Sequence, residues 1–87
     1  MVIYKYQLDL AEKQTINMPT SAHVLSAQVQ KRKVCIWAVV DPSSLEGETE
    51  IYMYGTGNTM ESNRKSFIGT VQLDEGDLVL HVFRGWK

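Results

Sequence analysis

Alternation of apolar and polar residues along short segments constrains the fold of this chain more than any other feature of its sequence. Between Val2 and Leu10, apolar side chains occupy nearly every second position, and His23–Gln30 repeats the pattern. Because successive side chains of a β-strand point to opposite faces, this period of two predicts strands with one buried face. Six or seven strands are expected, in the segments 2–10, 14–18, 23–30, 34–40, 51–54, 67–73 and 78–83.

One of these segments, Val34–Val40, is apolar at every position. Such a run is typical of a strand that is covered on both faces, although a buried helix is the alternative. The β-branched residues of the segment and the stop at Asp41-Pro42 favour the strand. We therefore predict a central strand here.

The connections between the segments favour antiparallel pairing. Asp74–Asp77 is the clearest hairpin turn. Lys31–Lys33 is so short that only a tight turn can connect its strands. Ala11–Lys13 would join the first two strands in a hairpin. Gly69, inside a segment, indicates a bulge or a close backbone approach. The expected fold is a single all-β domain over residues 1–87, a small antiparallel β-sandwich or partly open barrel with little or no helix.

Composition disfavours several classes of protein, and it places nucleic-acid binding fourth among the functions considered. Nine Lys and Arg against ten Asp and Glu give a net charge of −1, without the basic excess with which proteins hold nucleic acid through its phosphates. Cys35 is the only cysteine, so no internal disulfide is possible, and a reducing compartment, the cytoplasm, is expected. No apolar stretch approaches the roughly 18 residues of a membrane span, and no signal-peptide core is visible near the start.

The titratable residues form no recognisable catalytic pattern. His23 and His81 each lie within a strand segment, without a neighbour that would orient a catalytic base. Cys35 lies in an apolar run, which disfavours the reactive thiolate, and no ligand spacing typical of zinc is present. We therefore expect a binding protein rather than an enzyme, with no metal and no cofactor.

The segment Tyr54–Asn58 is the most suggestive for ligand binding. Its glycines allow backbone N–H groups to approach a phosphate, and its threonine adds a hydroxyl donor. A plain turn is the alternative, because the segment lacks the lysine and the helix of a phosphate-binding loop. The candidate ligand-binding residues are Tyr54, Thr56, Gly57, Asn58, Arg64 and Lys65. Other basic residues would join them only if the loops and the C-terminus share one end of the sheet: Lys31, Arg32, Lys33, Arg84 and Lys87.

Aromatic side chains offer a second route to a nucleotide, because their rings can stack on bases. The strand positions of most of them predict a place in the core instead. Tyr52 and Tyr54 share one face of a strand, and they favour stacking only if that face is exposed. The aromatic residues considered are Tyr4, Tyr6, Trp37, Tyr52, Tyr54 and Trp86.

A set of segments along nearly the whole chain carries a resemblance to a family. They are Ile3–Tyr6, Met18–Ser26, Trp37–Asp41, Tyr54–Gly57, Ile68–Val71 and His81–Phe83. In these segments the chain resembles a family of small uncharacterised proteins, a domain of unknown function, encoded mainly by bacteriophages and prophages. That family has no activity to transfer, and this chain departs from its pattern at Lys31-Arg32, where asparagine and glycine are more usual.

A phage origin would imply an accessory protein that acts by binding in the host cytoplasm. The leading hypothesis is counter-defence, either by inhibiting a host protein or by sequestering a nucleotide immune signal within a homo-oligomer. A structural or assembly protein, such as a minor virion component, is the alternative, and an enzyme acting on nucleotides comes third. A homo-oligomer is also expected from the chain length alone, because so small a domain leaves much apolar surface uncovered.

Overall fold

Seven β-strands make up the fold in the computed structural model, which describes residues 1–86. They are β1 (Val2–Gln7), β2 (Lys13–Pro19), β3 (His23–Gln30), β4 (Lys33–Val40), β5 (Glu46–Gly55), β6 (Lys65–Leu73) and β7 (Leu78–Gly85). One antiparallel sheet has the order β1-β4-β3 and the other the order β2-β5-β7-β6. The sheets form a sandwich and do not close into a barrel. This confirms the all-β prediction, in the form of an antiparallel β-sandwich. Within residues 1–86, no helix is long and apolar enough to cross a membrane.

The core lies between the two sheets and follows the strand period. On β4, every second residue from Val34 to Val40 is buried. Ile51 and Met53 of β5 and Val82 of β7 join the same cluster from the second sheet. Burying one such side chain stabilises a fold by about 1.5–3 kcal/mol. The prediction of a central strand at this segment is confirmed, because β4 lies between β1 and β3.

The predicted hairpin between the first two strands is wrong, because β1 and β2 belong to different sheets. The chain crosses from one sheet to the other after Leu8, which is buried and donates its N–H to the carbonyl of Val34 at 2.9 Å. The side-chain amide of Gln14 holds the crossing by bonding both the N–H and the carbonyl of Asp9. The strand ends at Gln7 rather than Leu10, and the side chain of Leu8 packs into the core between the sheets.

Along one side the sandwich is closed, because β3 and β6 lie against each other. Both strands carry an irregularity there, at Leu25 and at Ile68. Gly69 follows the second bulge, and a β-carbon added to it would lie 3.3 Å from the carbonyl oxygen of Ala27. The structure therefore confirms both interpretations of Gly69, a bulge and a close backbone approach.

The β3–β4 connection is a tight turn, as predicted, but its backbone is unfavourable for the residues that form it. Lys31 and Arg32 have φ angles of 51° and 67°, between the paired residues Gln30 and Lys33. Positive φ at both central residues defines the type I′ turn, which prefers Asn-Gly. A side chain with a β-carbon costs about 1–2 kcal/mol in this region, whereas glycine adopts it freely.

We expect the double substitution Lys31→Asn with Arg32→Gly to raise the free energy of unfolding by about 1–2 kcal/mol. Urea denaturation followed by tryptophan fluorescence measures the change. Lys33→Asn is the matched control, because Lys33 is exposed and has no positive φ, and it should shift stability by less than about 0.5 kcal/mol. A double variant no more stable than the wild type would contradict the assignment of strain to this turn.

Candidate functional site

The outer face of the four-stranded sheet carries two rows of side chains that run across its strands. In the strand order β5, β7, β6, the first row is Tyr54, His81 and Thr70. The second row is Tyr52, Phe83 and Phe67. Phe83 contacts two neighbouring rings edge-on, with centroid distances of 6.1 Å to Tyr54 and 5.5 Å to Phe67. Edge-to-face pairs of this kind stabilise by about 0.5–1.5 kcal/mol beyond their buried area. The face is therefore a continuous aromatic layer.

Tyr52 and Tyr54 are buried although they point away from the core, because the loop 56–64 folds over them. Asn63 donates to the hydroxyl of Tyr52 at 3.0 Å, and the backbone N–H of Glu61 donates to the hydroxyl of Tyr54 at 3.4 Å. Their rings stack with centroids 6.1 Å apart and planes 10° apart. The shared face of the two tyrosines is thus covered by a loop, and neither ring is free to stack on a base.

The aromatic residues outside this layer follow the predicted burial only in part. Tyr6 is partly buried and packs against the core, and Trp37 is also partly buried. Tyr4 and Trp86 are exposed. Four of the six aromatic residues are therefore buried or partly buried, in line with a core position for most of them, and Tyr4 is exposed because no strand of the second sheet packs closely over it.

Lys65 fixes the loop 56–64 to the sheet. Its ammonium donates to the carbonyl oxygens of Glu61 and Asn63 at 2.8 and 3.2 Å, and also to the side-chain oxygen of Asn63. The same nitrogen lies 4.6 Å from the centre of the Tyr52 ring, within the range of a cation–π contact. The ammonium of the partly buried Lys65 is therefore engaged by the oxygens of the loop that it holds.

A β-turn at the end of β5 forms one rim of the site. The N–H of Asn58 donates to the carbonyl of Gly55 at 3.1 Å, and Gly57 has a φ of 87°. Positive φ only at the third position is typical of a type II turn, which favours glycine there. The segment is thus a turn, and it uses the Asn58 N–H internally.

His81 is held between two threonines. Its Nε2 lies 2.8 Å from Oγ1 of Thr56 and its Nδ1 lies 2.9 Å from Oγ1 of Thr70. In a neutral imidazole one ring nitrogen donates and the other accepts, so the two hydroxyls satisfy the ring completely. The two threonine hydroxyls thereby fix the orientation of the His81 ring on the outer face.

A shallow pocket of about 240 Å³ opens between the turn and the aromatic layer. We call it the outer pocket. It is lined by Tyr54–Asn58, Met60, Phe67, His81 and Phe83, none of which is Lys, Arg, Asp or Glu. Phe67 stands beside it with 61% of its surface exposed. The outer pocket is therefore a mainly apolar depression with an unprotected aromatic ring at its edge.

The structure brings together four of the six candidate ligand-binding residues. Tyr54, Thr56, Gly57 and Asn58 line the outer pocket. Arg64 is exposed and does not line it, and Lys65 is engaged beneath the loop. Met60, Phe67, His81 and Phe83 also line it, and sequence reasoning did not assign them to the site. The shared strand parity of His81 and Phe83 was the available signal for those two residues, whereas Phe67 reaches the same face only because the bulge at Ile68 shifts the register.

The wider set of basic residues does not converge at one end of the sheet. Arg32 lies in a cleft of about 470 Å³ with Asp74 and Glu75, at the end of β6 opposite to Arg64. Charges of both signs line that cleft, so it does not select an anion, and it has no aromatic wall. The other members of the set are placed as follows: Lys31 and Lys33 flank Arg32 at the exposed β3–β4 turn, Arg84 donates to the carbonyl of Ala22 at 2.9 Å, and Lys87 lies outside the described residues.

Burial lowers the pKa of Arg84, whose guanidinium lies 5.0 Å from the centre of the Trp86 ring. Because this side chain closes one end of the sandwich, it belongs to the fold rather than to a surface site. In the part of the chain that the structure describes, no group of three His, Cys, Asp or Glu side chains is placed to hold a metal ion.

Comparison with known proteins gives one finding. No curated protein and no solved structure matches the chain significantly. A family described as a domain of unknown function, DUF7352, matches residues 1–87. Since this match covers the whole chain, the protein belongs to the DUF7352 family.

Proposed function

We propose that this protein is a small accessory binding protein that recognises another protein through the outer pocket. The observation that carries the proposal is Phe67, a large aromatic side chain exposed beside an uncharged depression. Aromatic residues around a small apolar pocket are typical of interface hot spots, where one side chain of the partner inserts. The floor is formed by Phe83 and by His81, which is fixed at both nitrogens, so binding requires little ordering.

Size and charge favour a protein side chain over a nucleotide as the occupant. Pockets for small molecules usually measure about 300–1,000 Å³, whereas the outer pocket measures about 240 Å³. A nucleotide phosphate would also need a cation, and the nearest predicted one, Lys65, is bonded to Glu61 and Asn63. We therefore favour inhibition of a host protein over sequestration of a nucleotide signal.

The proposed biological role is counter-defence in the cytoplasm of a bacterial host. Its support is the resemblance of the sequence to phage-encoded proteins, together with the small size of the chain. A protein that works by occluding a partner needs an exposed anchor and no catalytic group, and Phe67 with the satisfied His81 fits that requirement.

Selection from a library of random peptides tests the proposal. We expect the peptides enriched on the immobilised protein to share one aromatic or long aliphatic anchor. Phe67→Asp should weaken their binding at least about tenfold, because it places a charge beside the apolar depression. Gln72→Asp is the matched control, since Gln72 is exposed on the same strand and does not line the outer pocket. Fluorescence anisotropy measures both affinities.

Two results would overturn the proposal. One is equal peptide binding by the wild type and Phe67→Asp, when thermal unfolding curves show that both proteins are folded. The other is an amide chemical-shift change confined to Thr56, His81 and their neighbours on addition of ATP or a cyclic dinucleotide, while no peptide is enriched. That second result would favour the nucleotide hypothesis.

A further inference from the structure

The four outer edges of the two sheets are not equally protected. The edges of β3 and β6 cover each other, with Gly69 against Ala27. Directly after β2, the N–H of Thr20 donates to the carbonyl of Leu45, the residue before β5. The backbone nitrogen of Pro19 therefore faces the free edge, where it has no N–H to donate. The edge of β1 has neither form of protection, and an open edge of this kind is a template for another strand.

Hydrogen bonding shows which groups β1 leaves free. The N–H of Leu8 points across to β4, where it donates to Val34. Because these bonds alternate along an antiparallel pair, the even-numbered residues of β1 pair with β4 and the odd-numbered ones face outward. Ile3, Lys5 and Gln7 therefore present their N–H and carbonyl groups at the free edge, and no strand formed by residues 1–86 pairs with them.

Lys5 is the one charged side chain on β1, and its ammonium is directed away from that edge. It donates to the side-chain oxygen of Gln30 at 2.7 Å. Since Gln30 belongs to β3 and β4 lies between the two strands, the Lys5 side chain reaches across the sheet. An edge lysine normally discourages pairing with another strand, but here the charge does not stand in the way.

Apolar side chains accompany the open edge on both faces of β1. Val2 and Tyr4 share the inward parity of β1 yet are 42% and 43% exposed, because no strand of the second sheet packs closely over them. Ile3, on the outer face, is 60% exposed. Unpaired backbone groups and uncovered apolar side chains therefore coincide at one place.

We propose that a second copy of this chain pairs with this edge, β1 against β1, in an antiparallel arrangement with two-fold symmetry. The two three-stranded sheets then join into one six-stranded sheet. Two-fold symmetric dimers, in which the same surface of both subunits forms the interface, are the commonest homo-oligomers. This homodimer is independent of the outer pocket, which lies on the other sheet.

Charge and overlap select the register of the pair. A register centred on Lys5 places it directly opposite the partner's Lys5, which is unfavourable. A register centred on Ile3 pairs fewer residues of β1. Centred on Tyr4, the pair brings the two copies of Tyr4 together and lets Ile3 exchange hydrogen bonds with the partner's Lys5. In this last register each outward N–H of β1 lies opposite a carbonyl oxygen of the other strand, and the two Lys5 side chains do not face each other.

Sedimentation velocity over a concentration series tests the dimer. We expect the wild type to be a monomer when dilute and a dimer at about 100 μM, since so short a strand pair falls below the standard interface size. Ile3→Pro should weaken association at least about tenfold, because it removes a donor from the free edge and none from the pairing with β4. Ile3→Val is the control and should dimerise like the wild type.

Cross-linking tests the register and does not depend on affinity. Two Tyr4 positions that face each other without hydrogen bonds have Cα atoms about 4.5 Å apart, within reach of a disulfide. Tyr4→Cys should therefore form a disulfide dimer under mild oxidation, and Lys5→Cys should not. A wild type that remains monomeric at every concentration, a dimer unaffected by Ile3→Pro, or cross-linking only at position 5 would overturn the proposal.

Discussion

Replacing Lys65 with methionine is expected to lower the free energy of unfolding by about 2 kcal/mol, whereas Arg64→Met changes it by less than about 0.5 kcal/mol. The two residues are adjacent and both basic, but only Lys65 bonds the loop, through the oxygens of Glu61 and Asn63. Hydrogen bonds to a charged group are worth about 1.5–3 kcal/mol, and the cation–π contact with Tyr52 adds to them. Methionine retains the aliphatic stem, so the substitution isolates the charge.

Two measurements test this expectation. Urea denaturation gives the stability difference, and hydrogen exchange reports whether the amides of the loop 56–64 lose protection in Lys65→Met alone. The loop should open because Lys65 no longer holds the carbonyl oxygens of Glu61 and Asn63. Tyr52 and Tyr54, whose burial depends on the loop, should then become more exposed. Equal effects of the two substitutions would contradict the structural role assigned to Lys65 and would return it to the candidates for anion binding.

The difference between Arg64 and Lys65 marks where the sequence stops predicting the site. Both residues follow the same polar loop, and no local pattern tells which one folds back under it. The position of Lys65 depends on Tyr52, which the chain reaches 13 positions earlier. Contacts of this kind arise from strand pairing and loop closure, so composition and periodicity carry no trace of them.

The fold was more predictable than the site, because the two-residue period acts locally. It predicted β4, whose alternate residues fill the core, and the hairpin that joins β6 and β7. It missed the first half of β5, which begins at Glu46 rather than Ile51. Residues 46–50 are polar and favour no strand by themselves, but pairing with β2 makes them one. Tertiary context overrides strand propensity in such cases.

The outer pocket contains some features that the sequence predicts and others that it does not. Its floor follows from parity only for His81 and Phe83, which share the outward face of β7. Phe67 has the parity of the buried Val71, and it faces outward because the bulge at Ile68 shifts the register. Its rim follows from the glycine turn that the sequence indicates. What the sequence did not indicate is that loop 56–64 covers Tyr52 and Tyr54 while it leaves Phe67 exposed. That difference determines which ring is accessible at the surface.

Valine at position 69 is expected to destabilise the protein by roughly 3 kcal/mol, and alanine there by about 1 kcal/mol. A β-carbon at Gly69 would lie 3.3 Å from the carbonyl oxygen of Ala27 and 3.4 Å from its nitrogen. Both are backbone atoms of a paired strand, so they cannot turn aside as a flexible side chain would. Valine adds two methyl groups to the same space, and the sheets must separate where β3 meets β6.

A second substitution separates backbone crowding from side-chain crowding at this contact. Ala27→Gly removes the Ala27 β-carbon, which lies 3.6 Å from the added atom, and leaves the two closer backbone atoms in place. We therefore expect Gly69→Val to remain destabilised in the Ala27→Gly background, with the two effects on the urea midpoint close to additive. Full rescue by Ala27→Gly would show that the side chain sets the distance between the strands. In that event the closed side of the sandwich would depend on ordinary packing that other residue pairs could replace, and Gly69 would no longer be required by the approach of the two backbones.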